Sequence, residues 1–164
     1  MTHEPIELSA ELFSNLVFKP HGKYVASLEG QVIHSEITGP LNSEMIQLYR
    51  DSVRPLWLEA AEKGNFCTLA VLHESMLMTM DAIEQFAQAT AAFAAKFPNY
   101  VGIAQVAAPS VDGRQLMAHV YRTRVYGPLG LRYEIFETVD EARAWLHAAL
   151  AAHRLTPPSA APSA

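Results

Sequence analysis

The chain has one cysteine, Cys67, so it cannot close an internal disulfide. That thiol sits inside an apolar run, where a buried and inert role is expected. Charged residues make up 18% of the chain and the net charge is −5, which argues against a nucleic-acid backbone as the main partner and against broad adhesion to an anionic membrane surface. No apolar run approaches the ~18 residues needed for a membrane span. The opening "MTHEPIELSA" has no basic segment followed by an apolar core, as a secretory signal would have. These absences lead to the expectation of a cytoplasmic protein without stable membrane insertion. Phosphate-binding signatures are missing too: there is no Gly-x-Gly-x-x-Gly and no Walker-type loop.

What is present is a 164-residue chain that is 50% hydrophobic, enough for one compact domain with a substantial core. Residues 1–15 carry weak order signals and are expected to form an arm, with "ELFSNLVF" starting a short helix or an edge strand. The domain is expected to cover residues 16–154. The proline-rich tail at 155–164 has little to pack and is expected to be disordered.

Within the domain, "YVASLEG" and "QVIHSEITG" flank Gly30 and read as two strands of a hairpin. A helix follows, capped by Asn42 or Ser43, with Pro55 expected to kink it or to start a second helix. "FCTLAVLH" is the continuous apolar run of a strand covered on both faces. The helix after it carries Ile83, Phe86, Thr90, Phe93 and Phe97 on one face. "YVGIAQVA" is another buried strand. "SVDGRQLMAHVYRTRV" reads as a helix capped by Ser110 or Asp112, with Leu116, Met117, Val120 and Tyr121 turned inward. "RYEIFE" is a last strand. The final helix opens with Thr138 and Glu141 in a capping box and turns Val139, Ala142, Leu146 and Ala149 or Leu150 to the core. The order β-β-α-β-α-β-α-β-α implies an α/β fold with a mostly parallel sheet, an antiparallel N-terminal pair, and helices packed on the sheet.

That order, together with "RYEIFETVDEARAWL", resembles the SpoIIAA-like branch of the STAS-like fold, the domain type of sulfate transporters and anti-sigma factor antagonists. The resembling positions are Phe136 at the last strand's end and Ala142, Trp145 and Leu146 in the final helix. "NYVGIAQVAAPSVDGRQL" is similar to the preceding strand and helix of that group, and the likeness spans about Tyr24 to Leu150. It implies a regulatory or scaffold domain that acts by binding a protein partner or a second copy of itself. In anti-sigma antagonists an Asp-Ser-Ser-Gly opens the helix after the central strand, and one serine accepts phosphate. Here the Asp falls on Asp81, the serine positions on Ala82 and Ile83, and the glycine on Glu84, so the acceptor is lost. The shared architecture with lipid-binding CRAL-TRIO domains implies an alternative function, binding a small apolar ligand.

The strand end "LHESMLMTMD" holds the only cluster that suggests chemistry. His73, Glu74 and Ser75 bring together the residue types of a hydrolytic triad. Neighbours in an extended segment point to opposite sides, however, and no Gly-x-Ser-x-Gly elbow presents Ser75. The favoured reading is a polar strand end at the sheet's carboxyl edge, the edge where open α/β sheets meet ligands. His73, Glu74, Ser75, Met76, Met78, Thr79 and Asp81 are therefore the candidate partner or ligand contacts, with no catalytic residue among them. Met side chains in such a link adapt to varied apolar surfaces. The seven histidines show no His-Glu-x-x-His spacing and stand without a cysteine cluster, so neither metal nor cofactor is expected.

Overall fold

A computed structural model describes residues 4–9 and 20–154. Six strands form one mixed sheet: β1 (Ile6–Ser9), β2 (Lys23–Glu29), β3 (Val32–Thr38), β4 (Phe66–His73), β5 (Tyr100–Val106) and β6 (Arg132–Phe136). They lie in chain order across the sheet. β1, β2 and β3 are antiparallel neighbours, and β3 through β6 run parallel. The α/β class and the mixed sheet agree with the order read from sequence.

One strand was not anticipated. β1 lies in the stretch read as a weakly ordered arm, and its four residues pair with β2 from Ile6↔Ala26 to Ser9↔Lys23. "ELFSNLVF" and the tail at 155–164 lie outside the described residues.

Four α-helices connect and flank the strands: α1 (Ser43–Glu62), α2 (Met80–Lys96), α3 (Arg114–Val120) and α4 (Val139–Arg154). Side chains of β4 alternate between two layers. Phe66, Ala70 and Leu72 pack with α1, α2 and α3, while Cys67 and Leu69 pack with Ala142, Leu146 and Ala149 of α4. Parallel strands laid down in chain order with right-handed crossovers put their connecting helices on one face, which leaves the other face to α4. Among the described residues no helix is long and apolar enough to cross a membrane.

Several caps follow the sequence reading. Asn42 accepts from the Met45 N–H at 3.2 Å and starts α1. The Thr138–Glu141 box closes in both directions, with Thr138 N–H donating to Glu141 at 3.2 Å and Glu141 N–H donating to Thr138 Oγ1 at 3.4 Å.

Two helices depart from it. α1 runs through Pro55 as one unbroken helix, so no second helix begins there. Pro55 is exposed and the turn around it is anchored by buried Val53, Leu56 and Trp57, whose packing outweighs the missing backbone donor. α3 is capped by Gly113 in the left-handed conformation, not by a Ser110 or Asp112 side chain. The helix consequently turns Met117, Ala118 and Tyr121 inward and leaves Leu116 61% exposed, against the inward position expected for it. After seven residues it widens into a π-helical turn, Tyr121–Tyr126, and then a 3-10 turn, Gly127–Leu129.

Candidate functional site

The link between β4 and α2 crosses the carboxyl edge of the sheet. His73, the last residue of β4, is exposed and hydrogen-bonds Glu36 of β3 at 2.5 Å, not Ser75. Glu74 takes a positive φ of 61° and turns the chain. Ser75 Oγ accepts from the Leu77 N–H at 3.1 Å, so its hydroxyl stabilises the turn. His73, Glu74 and Ser75 thus form no mutual relay.

The link is held from both sides. Leu41 forms an isolated parallel bridge with Met78, and Ser75 forms one with Asp112. Met76 N–H donates to the Asp112 carbonyl at 2.8 Å, and Asp112 N–H donates to the Glu74 carbonyl at 2.9 Å. Gly39 fits so closely beneath that a Cβ there would collide with the Ser75 carbonyl oxygen. Thr79 caps α2, accepting from the Ala82 N–H at 3.4 Å. Asp81 accepts from Ser43 Oγ at 2.8 Å, which ties the starts of α1 and α2 together. Hydroxyl donors from Thr79 and Ser43 hold the Asp81 carboxyl below its usual range.

This arrangement divides the sequence-derived contact residues. His73, Glu74, Thr79 and Asp81 face outward, whereas Ser75, Met76 and Met78 line an internal cavity. The cavity measures about 90 Å³ and lies beneath α2, between the sheet and the helices. Thr68, Ala70 and Leu72 of β4 with Ile103 and Gln105 of β5 form its floor. Met45, Tyr49 and Trp57 of α1 and Phe86, Thr90 and Phe93 of α2 cover it.

All six tyrosines of the chain are on this side of the sheet. Tyr24, Tyr49, Tyr100, Tyr121 and Tyr126 line the cavity, and Tyr133 stacks on Tyr126 at 5.1 Å. Four of the hydroxyls find neutral partners. Tyr24 and Ser35 share a 2.6 Å hydrogen bond, Tyr100 donates to Thr68 at 3.1 Å, Tyr121 to the Met78 sulfur at 3.3 Å, and Tyr133 to Gln105 at 2.8 Å. Burial disfavours the phenolate and raises every one of these phenols, Tyr49 to about 12. The interior therefore offers aromatic surface and uncharged hydrogen-bonding groups. Among the described residues, Arg50, exposed on α1, is the one charged side chain that lines it.

The π-turn has a direct effect on this lining. In an α-helix a residue five positions on is rotated by about 140° from the first. The i→i+5 bonding of a π-turn brings the two nearly into line. Tyr121 and Tyr126 accordingly both face the cavity, with ring centroids 6.0 Å apart, and Phe86 packs on both at 5.9 and 6.3 Å. Gly127 N–H closes the turn on the Arg122 carbonyl, and a Cβ at Gly127 would collide with that oxygen.

The sequence pattern marked the Met-rich link and turned Tyr121 inward, but did not bring the tyrosines together around a cavity. The five-residue interval between Tyr121 and Tyr126 was the available signal, but it becomes one only when a π-turn is considered. Among the described residues, no group of three or more His, Cys, Asp or Glu side chains is placed to hold a metal ion. Comparison with family models, curated proteins and solved structures found no match for this chain.

Proposed function

We propose that this protein is a non-enzymatic binding module that holds a small, mainly apolar ligand between its sheet and its helices. The observation that carries this reading is the neutral, tyrosine-lined cavity beneath α2, closed at one end by the stitched Met76–Met78 link. Its volume is small beside the ~300–1,000 Å³ of pockets that take drug-sized molecules, which favours a ligand body of one ring or a short acyl chain. Calorimetric titration with octanol tests the reading. Saturable binding that is abolished by Ala89→Trp, at a half-exposed lining position of α2, supports it. Absence of binding to the unaltered protein counts against it.

This reading is compatible with a STAS-like domain acting in the cytoplasm. The strand–link–helix order is present, and the positions that the resemblance gives to serines carry Ala82 and Ile83, both buried. In such a domain, the ligand would replace phosphorylation as the input.

A second reading, binding of a protein partner or a second copy at the outer side of the link, draws support from Met80. This side chain is 64% exposed beside Thr79 and Asp81. Loss of a crosslinked species on Met80→Asp supports that surface, and an unchanged crosslinking pattern contradicts it.

A further inference from the structure

The cavity's neutral interior leaves open what the ligand's polar end looks like, and the entrance supplies an answer. Ile46 and Arg50, one turn apart on α1, and Ala89 and Thr90 on α2 all line the cavity, so both helices border it here. Among the described residues Arg50 is the only charged one that lines the cavity, and its side chain is 54% exposed. The side chain therefore borders both solvent and the cavity, where an arginine can lay its aliphatic stem on apolar surface and keep its guanidinium in water.

The local charges are not neutralised as a unit. Arg50 Nε makes one long contact, 3.4 Å, with the adjacent Asp51. The terminal guanidinium nitrogens make no hydrogen bond among the described residues. Arg54, one helical turn further on, is exposed and has no ion pair among the described residues. Two guanidiniums at i and i+4 thus share one stretch of helix surface with a single carboxylate between them.

The interior cannot serve an anion in the same way. Tyr24 and Ser35, Tyr100 and Thr68, and Tyr121 and the Met78 sulfur are already paired, and the burial that keeps the phenols un-ionised equally opposes a buried carboxylate. An anionic group is stable only at the mouth, where water and a guanidinium solvate it. Arginine's planar fork also matches a carboxylate's two oxygens.

We infer that the ligand is an amphipathic monocarboxylate, with its apolar body in the cavity and its carboxylate on Arg50. This inference rests on the cavity reading above and adds the charge and orientation of the ligand. Ring-bodied and chain-bodied acids share this chemistry, and they are distinguished by comparing 4-phenylbutyrate with octanoate.

The test is calorimetric titration of the full chain with octanoate, 4-phenylbutyrate and octanol, using the unaltered protein, Arg50→Gln and Ala89→Trp. The unaltered protein should bind at least one acid about tenfold more tightly than octanol, as expected for one charge-assisted hydrogen-bonded pair. Arg50→Gln should remove that advantage and leave octanol binding unchanged, and Ala89→Trp should abolish binding of all three. Thermal unfolding of each variant verifies that it is folded, and Arg50, being exposed, can be replaced without disturbing the core. Equal binding of acids and alcohol, unaffected by Arg50→Gln, overturns the carboxylate inference and leaves the cavity reading standing. No binding of any of the three to the unaltered protein overturns both.

Discussion

The rings of Tyr121 and Tyr126, five residues apart, face the same cavity with centroids 6.0 Å apart, because the chain between them is a π-helical turn. An α-helix over the same residues would turn one of the two away. The turn depends on Gly127, whose N–H reaches the Arg122 carbonyl and which has no room for a Cβ. Gly127→Ala should destabilise the protein by about 1–3 kcal/mol, the usual range for overpacking against a fixed group. Urea unfolding with an unchanged slope checks this. A midpoint equal to that of the unaltered protein would show that the turn tolerates the methyl group.

Tyr24 and Ser35 test the polar lining. Both are buried and share a 2.6 Å hydrogen bond. Tyr24→Phe leaves the Ser35 hydroxyl short of a partner and should cost about 1–3 kcal/mol. Adding Ser35→Ala should cost less than the two single changes summed. The double-mutant cycle in chemical denaturation measures that coupling, and strict additivity would contradict it.

Alkaline pH offers a test of the whole tyrosine set. An unfolded phenol ionises near pH ~10. In the folded protein burial raises all six phenols, Tyr49 to about 12. Between these pH values the native state binds more protons than the unfolded state, so stability falls as pH rises. The stabilising contribution is complete below pH ~10 and is lost as pH climbs through the folded values. Phenolate absorbance should therefore stay low beyond pH ~10 and then rise together with loss of structure. Gradual, independent titration of most tyrosines near pH ~10 in folded protein would contradict the burial described here.

The sequence made the strongly periodic elements readable, and the reasons are physical. β4 and β5 are apolar on both faces because α4 covers one side and α1–α3 the other, and that pattern needs no tertiary information to recognise. The Thr138–Glu141 box and the Asn42 cap are local, so local spacing sufficed. β1 escaped because four residues give too little alternation, and its strand character comes from pairing with β2. Leu116 was misplaced because a uniform helical period was carried across a segment that begins at Gly113 and widens after Val120. The cavity was least readable of all. Its tyrosines come from β2, α1, β5 and the π-turn, and only the sheet order brings them together. The Met-rich link was legible as a special segment, but its division into inward Met76 and Met78 and outward His73 and Glu74 depends on the bridges to Leu41 and Asp112.

Gly113 provides a check on those bridges. It holds a φ of +71°, and a Cβ there would press into the Leu77 side chain. Gly113→Ala should cost about 1–2 kcal/mol through backbone strain and should loosen the adjacent Asp112–Met76 hydrogen bond. Hydrogen exchange at the Met76 amide reads this directly. Faster exchange there than in β5 is the expected result, and unchanged protection at Met76 would show that the link does not depend on this turn.

Cys67 is buried against α4, and burial pushes its thiol up to about 12. Alkylation by iodoacetamide should be undetectable in the folded protein and rapid in denaturant. Rapid native labelling would contradict the packing of this layer.

In the function proposed above, the tyrosine-lined space beneath α2 holds a ligand. Native mass spectrometry of the purified full chain tests it most directly, before and after incubation with octanol or octanoate. The expected result is a saturable one-to-one adduct, or a co-purified small molecule released on denaturation, and its loss in Ala89→Trp. A bare protein mass at every ligand concentration, identical in the two proteins, would contradict it.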